Sequence, residues 1–161
     1  MSTAPRFDID LSVQKFTELG GSEIGSVARR WLSHGDDPEA EAEYIARCAQ
    51  HYSVDNNDPT FVSRIIERPE IRRHFFAPGG ESKTADFRRD LARIQCPTLV
   101  VHGAQDPILP APLAREMHAA LPTHLSQLHI VENAGHSFQD AADEWNVVLQ
   151  KFLFGDEPLD A

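Results

Sequence analysis

Apolar residues recur along this chain with two different periods, and the change falls near Phe87. Upstream of it the spacing is helical and no strand is predicted. Ile24, Val27, Ala28 and Trp31 fall on one helix face, with Ser22 as a candidate cap. Asp37-Pro38 reads as a cap followed by proline at the first helical position, and Tyr44, Ile45, Cys48 and Ala49 form the stripe behind it. After an Asp- and Asn-rich loop from Asp55 to Pro59, Phe61, Val62, Ile65 and Ile66 predict a third helix. Pro69 interrupts, a short turn through Ile71, His74 and Phe75 follows, and Pro78-Gly79-Gly80 closes the helical segment.

Downstream, Leu91 and Ile94 close a short helix and Pro97 leads into Thr98-Leu99-Val100-Val101. This run is apolar without alternation, as in a parallel strand covered on both faces. Ala111 to Leu121 predicts a helix with Leu113, Met117 and Leu121 four apart. Leu128 to Val131 predicts a second strand, and Ala141 to Phe154 a last helix with Trp145, Val148, Leu149 and Phe152 facing inward. Strand, helix, strand, helix is a right-handed parallel unit, so the fold class is α/β. Two parallel strands make a poor sheet, and the first of them is apolar enough to take a neighbour on each side.

The chain has 161 residues, with 15 Lys and Arg against 25 Asp and Glu, a formal charge of -10. Such a surface repels phosphate backbones and anionic membranes, so neither nucleic acid nor membrane is an expected partner. Cys48 and Cys96 are the only cysteines and lack Cys-x-x-Cys partners, which predicts reduced, buried thiols and a cytoplasmic location. The segment MSTAPRFDIDLS has no apolar run of the kind a signal sequence or membrane span needs.

Open parallel sheets place ligands beyond the carboxyl ends of their strands. Asp106 lies three residues past Gly103, beyond the first strand, and His136 lies past the second. Adjacent parallel strands bring those loops together, where a carboxylate can orient an imidazole and stabilise its charged form as it takes a proton from a nucleophile. Pro107 and Pro110 stiffen the acid loop, and Phe138 stands where it can wall the site. The plainer reading is a small helical protein with a two-stranded sheet in which both are ordinary loop residues. Ser63, Ser126 and Ser137 lack the sharp strand-to-helix turn a nucleophile needs. His102 falls within a strand, and His118, His124 and His129 read as surface or packing residues. Neither a metal-binding constellation nor a cofactor motif is present, so no cofactor is expected.

The run Cys96-Pro97-Thr98-Leu99-Val100-Val101-His102-Gly103-Ala104-Gln105-Asp106-Pro107-Ile108-Leu109-Pro110, followed by Asn133-Ala134-Gly135-His136, resembles the C-terminal half of an α/β-hydrolase. In that family the acid follows the seventh strand, the histidine follows the eighth, and a helical lid is inserted after the sixth. The resemblance implies a partial α/β-hydrolase fold: residues 1–85 as helical lid, residues 86–161 as the C-terminal part of the core. It implies Asp106 as triad acid and His136 as base. Glu18-Leu19-Gly20-Gly21, Ala28-Arg29-Arg30-Trp31, Asn57-Asp58-Pro59 and Arg68-Pro69-Glu70 resemble lids of proline-iminopeptidase-like members. On that comparison Trp31 and Glu41 join Phe138 as pocket residues, and Glu39, Glu41 and Glu43 attract a substrate amine. The alternative for these acids is a solvated helix face. The Gly-x-Ser-x-Gly nucleophile turn of the family occurs nowhere in the sequence, nor do its first six strands.

Two accounts of the whole follow. The first is a serine-type hydrolase of amide, peptide or ester bonds, for which this chain supplies acid and base but no nucleophile. The other half then comes from a separate polypeptide, or from a coding region upstream of the chosen start, and the isolated chain is inactive. The second is a catalytically inactive lid-and-edge module that associates with itself or another chain through its open strand edge.

Overall fold

The computed structural model describes residues 3–54 and 68–155, and within these it has two packed halves. The helical half begins with α1 (Ile9–Gly20), a helix that the apolar pattern does not single out. Asp8 caps it, its side chain accepting the amide of Leu11 at 3.0 Å, and Ser12, Val13 and Phe16 are its buried side chains. A buried serine on the inner face breaks the stripe that periodicity looks for. α2 (Ser22–His34) buries Ile24, Val27, Ala28, Trp31 and Leu32. Its cap position is Gly21 rather than Ser22, which is the first helical residue. α3 (Pro38–Cys48) starts as expected, with the Asp37 carboxylate accepting the amides of Glu39 and Ala40, and runs into a 3-10 turn at Ala49–His51. The third helix expected around Phe61 to Ile66 lies outside the described residues.

Pro69 does not interrupt a helix but opens one: α4 (Pro69–Phe76) carries it at its start, where its missing N–H has no intrahelical partner to lose. Two short helices follow, α5 (Glu81–Thr84) and α6 (Arg88–Leu91). The core of this half is aromatic. Phe16 meets Tyr44 edge-on at 5.8 Å between ring centroids, and Trp31 lies between Tyr44 and Phe76.

The second half contains β1 (Thr98–Gly103), α7 (Ala111–Ala120), β2 (Ser126–Val131) and α8 (Ala142–Phe154), the last preceded by a 3-10 turn at Phe138–Ala141. β1 and β2 pair in parallel, with Thr98 opposite Ser126 and Gly103 opposite Val131, and among the described residues the sheet has these two strands. α7 packs against both strands, and Val100, Ala114 and Leu121 form the small buried cluster between them. α8 was expected to turn Trp145, Val148, Leu149 and Phe152 inward. Trp145, Val148 and Phe152 are half-buried, but Leu149 is exposed, as are Val147, Leu153 and Phe154.

The halves interlock along the loops that leave the strands. Ile108, beyond β1, packs on the aromatic core, and the buried Ser12 hydroxyl donates to its carbonyl at 2.8 Å. The residues ahead of α1 lie along the second half: Phe87 donates its amide to the Pro5 carbonyl, and Arg6 reaches Glu116 of α7 at 3.0 Å. Among the described residues no helix is long and apolar enough to cross a membrane.

Candidate active site

Parallel pairing ends β1 and β2 at the same edge of the sheet, so the loops after Gly103 and Val131 emerge side by side. Main-chain bonds join them: Ala104 donates to the Val131 carbonyl and Gln105 to the Ala134 carbonyl, each at 2.9 Å. Gly103 lies where the loops touch. A Cβ there would fall 2.2 Å from the Gly135 carbonyl oxygen and 2.4 Å from that of Ala134, so no larger residue fits without parting the loops.

Asp106 sits in this junction with no exposed surface. Its Oδ1 accepts the amides of Ile108 at 2.8 Å and Leu109 at 2.9 Å, closing the loop around the two prolines. Its Oδ2 is thereby aimed across the junction and accepts from His136 Nδ1 at 2.9 Å. The carboxylate and imidazole that sequence spacing singled out are in direct contact.

Burial pushes the Asp106 carboxyl up, but the hydrogen bond and charge of His136, the Leu109 amide and nearby His102 more than offset it. The net direction is down, so Asp106 is ionised at neutral pH. An ionised acceptor holds the Nδ1 proton on His136, which places the lone pair of the neutral ring on Nε2. The His136 side chain is about one-third exposed (32%) while its partner is fully enclosed, the arrangement a proton carrier needs toward a substrate.

A second histidine flanks the acid. His102, buried within β1, donates from Nε2 to the Leu109 carbonyl, and that nitrogen is 3.6 Å from Asp106 Oδ2. Burial lowers its pKa despite the Asp106 charge, so it stays neutral, and its buried Nδ1 has no hydrogen-bond partner. His102 is thus part of the acid loop's support, a role that its position inside an apolar strand concealed.

On the other side, the helical half supports His136. The His136 amide donates to the Tyr52 carbonyl at 2.7 Å, and the two rings meet edge-on at 5.6 Å. The Tyr52 and Tyr44 hydroxyls are 2.7 Å apart, and burial pushes both phenols above their ordinary range, so both stay neutral.

The residues expected to line a pocket are placed differently. Trp31 is fully buried in the aromatic core and presents no surface to a ligand. Glu41 is neither a solvated acid nor an open anchor for an amine. It is buried, and its two oxygens accept from Arg72 at 2.7 Å and Arg73 at 2.8 Å. Burial alone would raise its pKa, but the hydrogen bonds and charges of both arginines hold it below the ordinary carboxyl value. Phe138 opens the 3-10 turn just after His136, and its side chain lies outside what the structure describes. Of the thiols, Cys48 is buried, which pushes it up to about 11, whereas Cys96 is exposed, contrary to expectation.

Helices surrounding a parallel strand pair, with an acid and a histidine after successive strands, define an α/β-hydrolase-type protein. The chain belongs to the alpha/beta hydrolase family, whose model matches residues 4–147. It is similar to a putative non-heme chloroperoxidase of Synechocystis sp., 42% identical over 71 residues that make up 42% of this chain and 25% of that protein. It is 37% identical over 68 residues to the putative carbamate hydrolase RutD of Escherichia coli, again 42% of this chain and 25% of the relative. In fold it matches an alpha/beta family hydrolase from Bacillus anthracis with a TM-score of 0.61 at 16% identity, covering 93% of this chain and 55% of that one. The chain therefore spans about a quarter of these curated relatives and about half of the solved hydrolase.

Proposed function

We propose that Asp106 and His136 are the acid and base of a serine-type hydrolase acting on an amide, peptide or ester bond, with proline-iminopeptidase-like chemistry as the working substrate class. The 2.9 Å bond from His136 Nδ1 to a buried, ionised Asp106 carries this reading. His136 Nε2 takes the proton of a hydroxyl as its oxygen attacks the substrate carbonyl carbon. Asp106 stabilises the imidazolium formed, and His136 returns the proton to the leaving group. Water repeats the sequence on the acyl intermediate. Residues 1–85 act as the lid over the site and residues 86–161 as the C-terminal part of the core.

The nucleophile and the backbone donors for the oxyanion come from outside these 161 residues, since no Gly-x-Ser-x-Gly turn is among them. The expected partner is the N-terminal half of the hydrolase core, added along the free edge of β1. Purified alone, the chain is expected to turn over neither small esters nor aminoacyl anilides. Turnover that disappears in His136→Ala would overturn the requirement for an external nucleophile. Adding a polypeptide that carries the N-terminal half of such a hydrolase core is expected to restore turnover dependent on both Asp106 and His136, and restored turnover indifferent to either would overturn their roles.

The second reading, an inactive module that associates through its strand edge, draws support from β1, which among the described residues pairs with β2 alone. A stable, monodisperse dimer that stays inactive with the N-terminal-half polypeptide present is its expected signature.

A further inference from the structure

Asp140 lies four residues beyond His136 in the 3-10 turn that leads to α8, and no motif or spacing singles it out. Its carboxylate bridges two distant parts of the chain. Oδ2 accepts the Gly135 amide at 2.7 Å and the Val54 amide at 3.0 Å, and Oδ1 accepts the Ser53 hydroxyl. Between those anchors, the His136 amide donates to the Tyr52 carbonyl and the Tyr52 ring abuts the imidazole. The approach is close: a Cβ on Gly135 would lie 2.4 Å from the Tyr52 carbonyl oxygen. The histidine loop is thus fastened to residues 52–54, which follow α3 and its 3-10 turn.

We propose that Asp140 is a positioning residue for the base: by tying Ser53 and Val54 to Gly135 it makes the helical half set the place of His136 against Asp106. The inference rests on the acid and base reading of Asp106 and His136. It works through geometry rather than charge. Three donors converge on one carboxylate, so the device depends on an acceptor group of that shape and reach. An asparagine can keep the connection, its carbonyl oxygen taking the two amides and its NH2 donating to the Ser53 oxygen. An alanine can keep none of it.

The test compares Asp140→Ala with Asp140→Asn in the full, 15N-labelled chain, reading the two ring nitrogens of His136 by two-bond proton–nitrogen spectra and the exchange of the Gly135 and Val54 amides. In the unaltered chain the uncharged His136 ring is expected in the Nδ1–H form, held by its bond to Asp106. In Asp140→Ala the ring-nitrogen signals should converge and both amides exchange about tenfold faster or more. In Asp140→Asn both readouts should stay much nearer the unaltered chain than in Asp140→Ala, because the amide keeps the shape and all three connections. Unchanged ring signals in Asp140→Ala overturn the proposal, as does an Asp140→Asn variant that behaves like the alanine. If Asp140→Ala does not fold, Asp140→Ser, which is too short to span both segments, replaces it with the same two outcomes. Absence of the Nδ1–H form in the unaltered chain, or its persistence in Asp106→Ala, would instead sink the acid and base reading beneath it.

Discussion

In the helical half Phe16, Trp31, Leu32 and Cys48 are sealed from solvent, whereas in the strand half α8 has no buried residue and leaves Val147, Leu149, Leu153 and Phe154 about half exposed. The difference lies in what each half has to pack against. α1, α2, α3 and α4 enclose one another around an aromatic centre. Among the described residues the strand half has two strands, one well-placed helix in α7, and in α8 a second helix whose apolar side chains reach beyond the face that it packs. The two halves therefore differ as a closed core differs from one that leaves an apolar face uncovered.

Breaking the closed core should produce the largest effect. Trp31→Ala is expected to cost about 3–5 kcal/mol of unfolding free energy in urea titrations, since a large side chain leaves a cavity among rings that cannot close in. A loss below about 1 kcal/mol would show that the helical half is as loosely held as α8. Next comes the tie between α3 and α4. Arg72→Ala removes two of the hydrogen bonds on the buried Glu41 carboxylate and should cost about 2 kcal/mol, with Arg73 retaining the other oxygen.

Acid should weaken the junction between the halves in two stages. His102 is held neutral, so below about pH 6.5 the unfolded chain binds a proton that the folded chain does not, and stability falls with pH by up to about 1.4 kcal/mol per unit. Asp106 has a lowered pKa when folded, so its contribution is complete above about pH 4 and lost as pH falls through the lower folded value. Denaturation of His102→Asn beside the unaltered chain between pH 7 and 5 checks the first stage: the variant should show the shallower slope. The smallest effect belongs to the uncovered face of α8. Leu149→Lys should change unfolding free energy by no more than about 0.5 kcal/mol while reducing self-association in sedimentation. A loss of several kcal/mol would mean that Leu149 already has its partner.

The strand half was the more legible in sequence, although it is the less complete. Its apolar run at residues 98–101 and the loops bounded by Gly103, Pro107 and Pro110 are local signals, and parallel pairing alone carries them to a shared edge. The helical half was legible only where its stripe was unbroken. α1 was missed because Ser12 occupies an inner position, filled by a serine whose hydroxyl serves the Asp8 and Ile108 carbonyls. Glu41 looked like a surface acid because its counterions are some thirty residues away in the sequence. Asp140 and Tyr52 were invisible for the same reason: Asp140 holds Ser53 and Val54 across 87 and 86 positions and Tyr52 holds His136 across 84, and no local pattern announces a partner that far off.

The bare Cα positions at Gly103 and Gly135 have a consequence for any attempt to re-engineer this protein. Because main chain meets main chain there, the spacing between carboxylate and imidazole is gauged by backbone thickness, as a shim sets a gap. Saturation libraries at position 103 should return glycine almost alone, even under selection for folding without regard to chemistry.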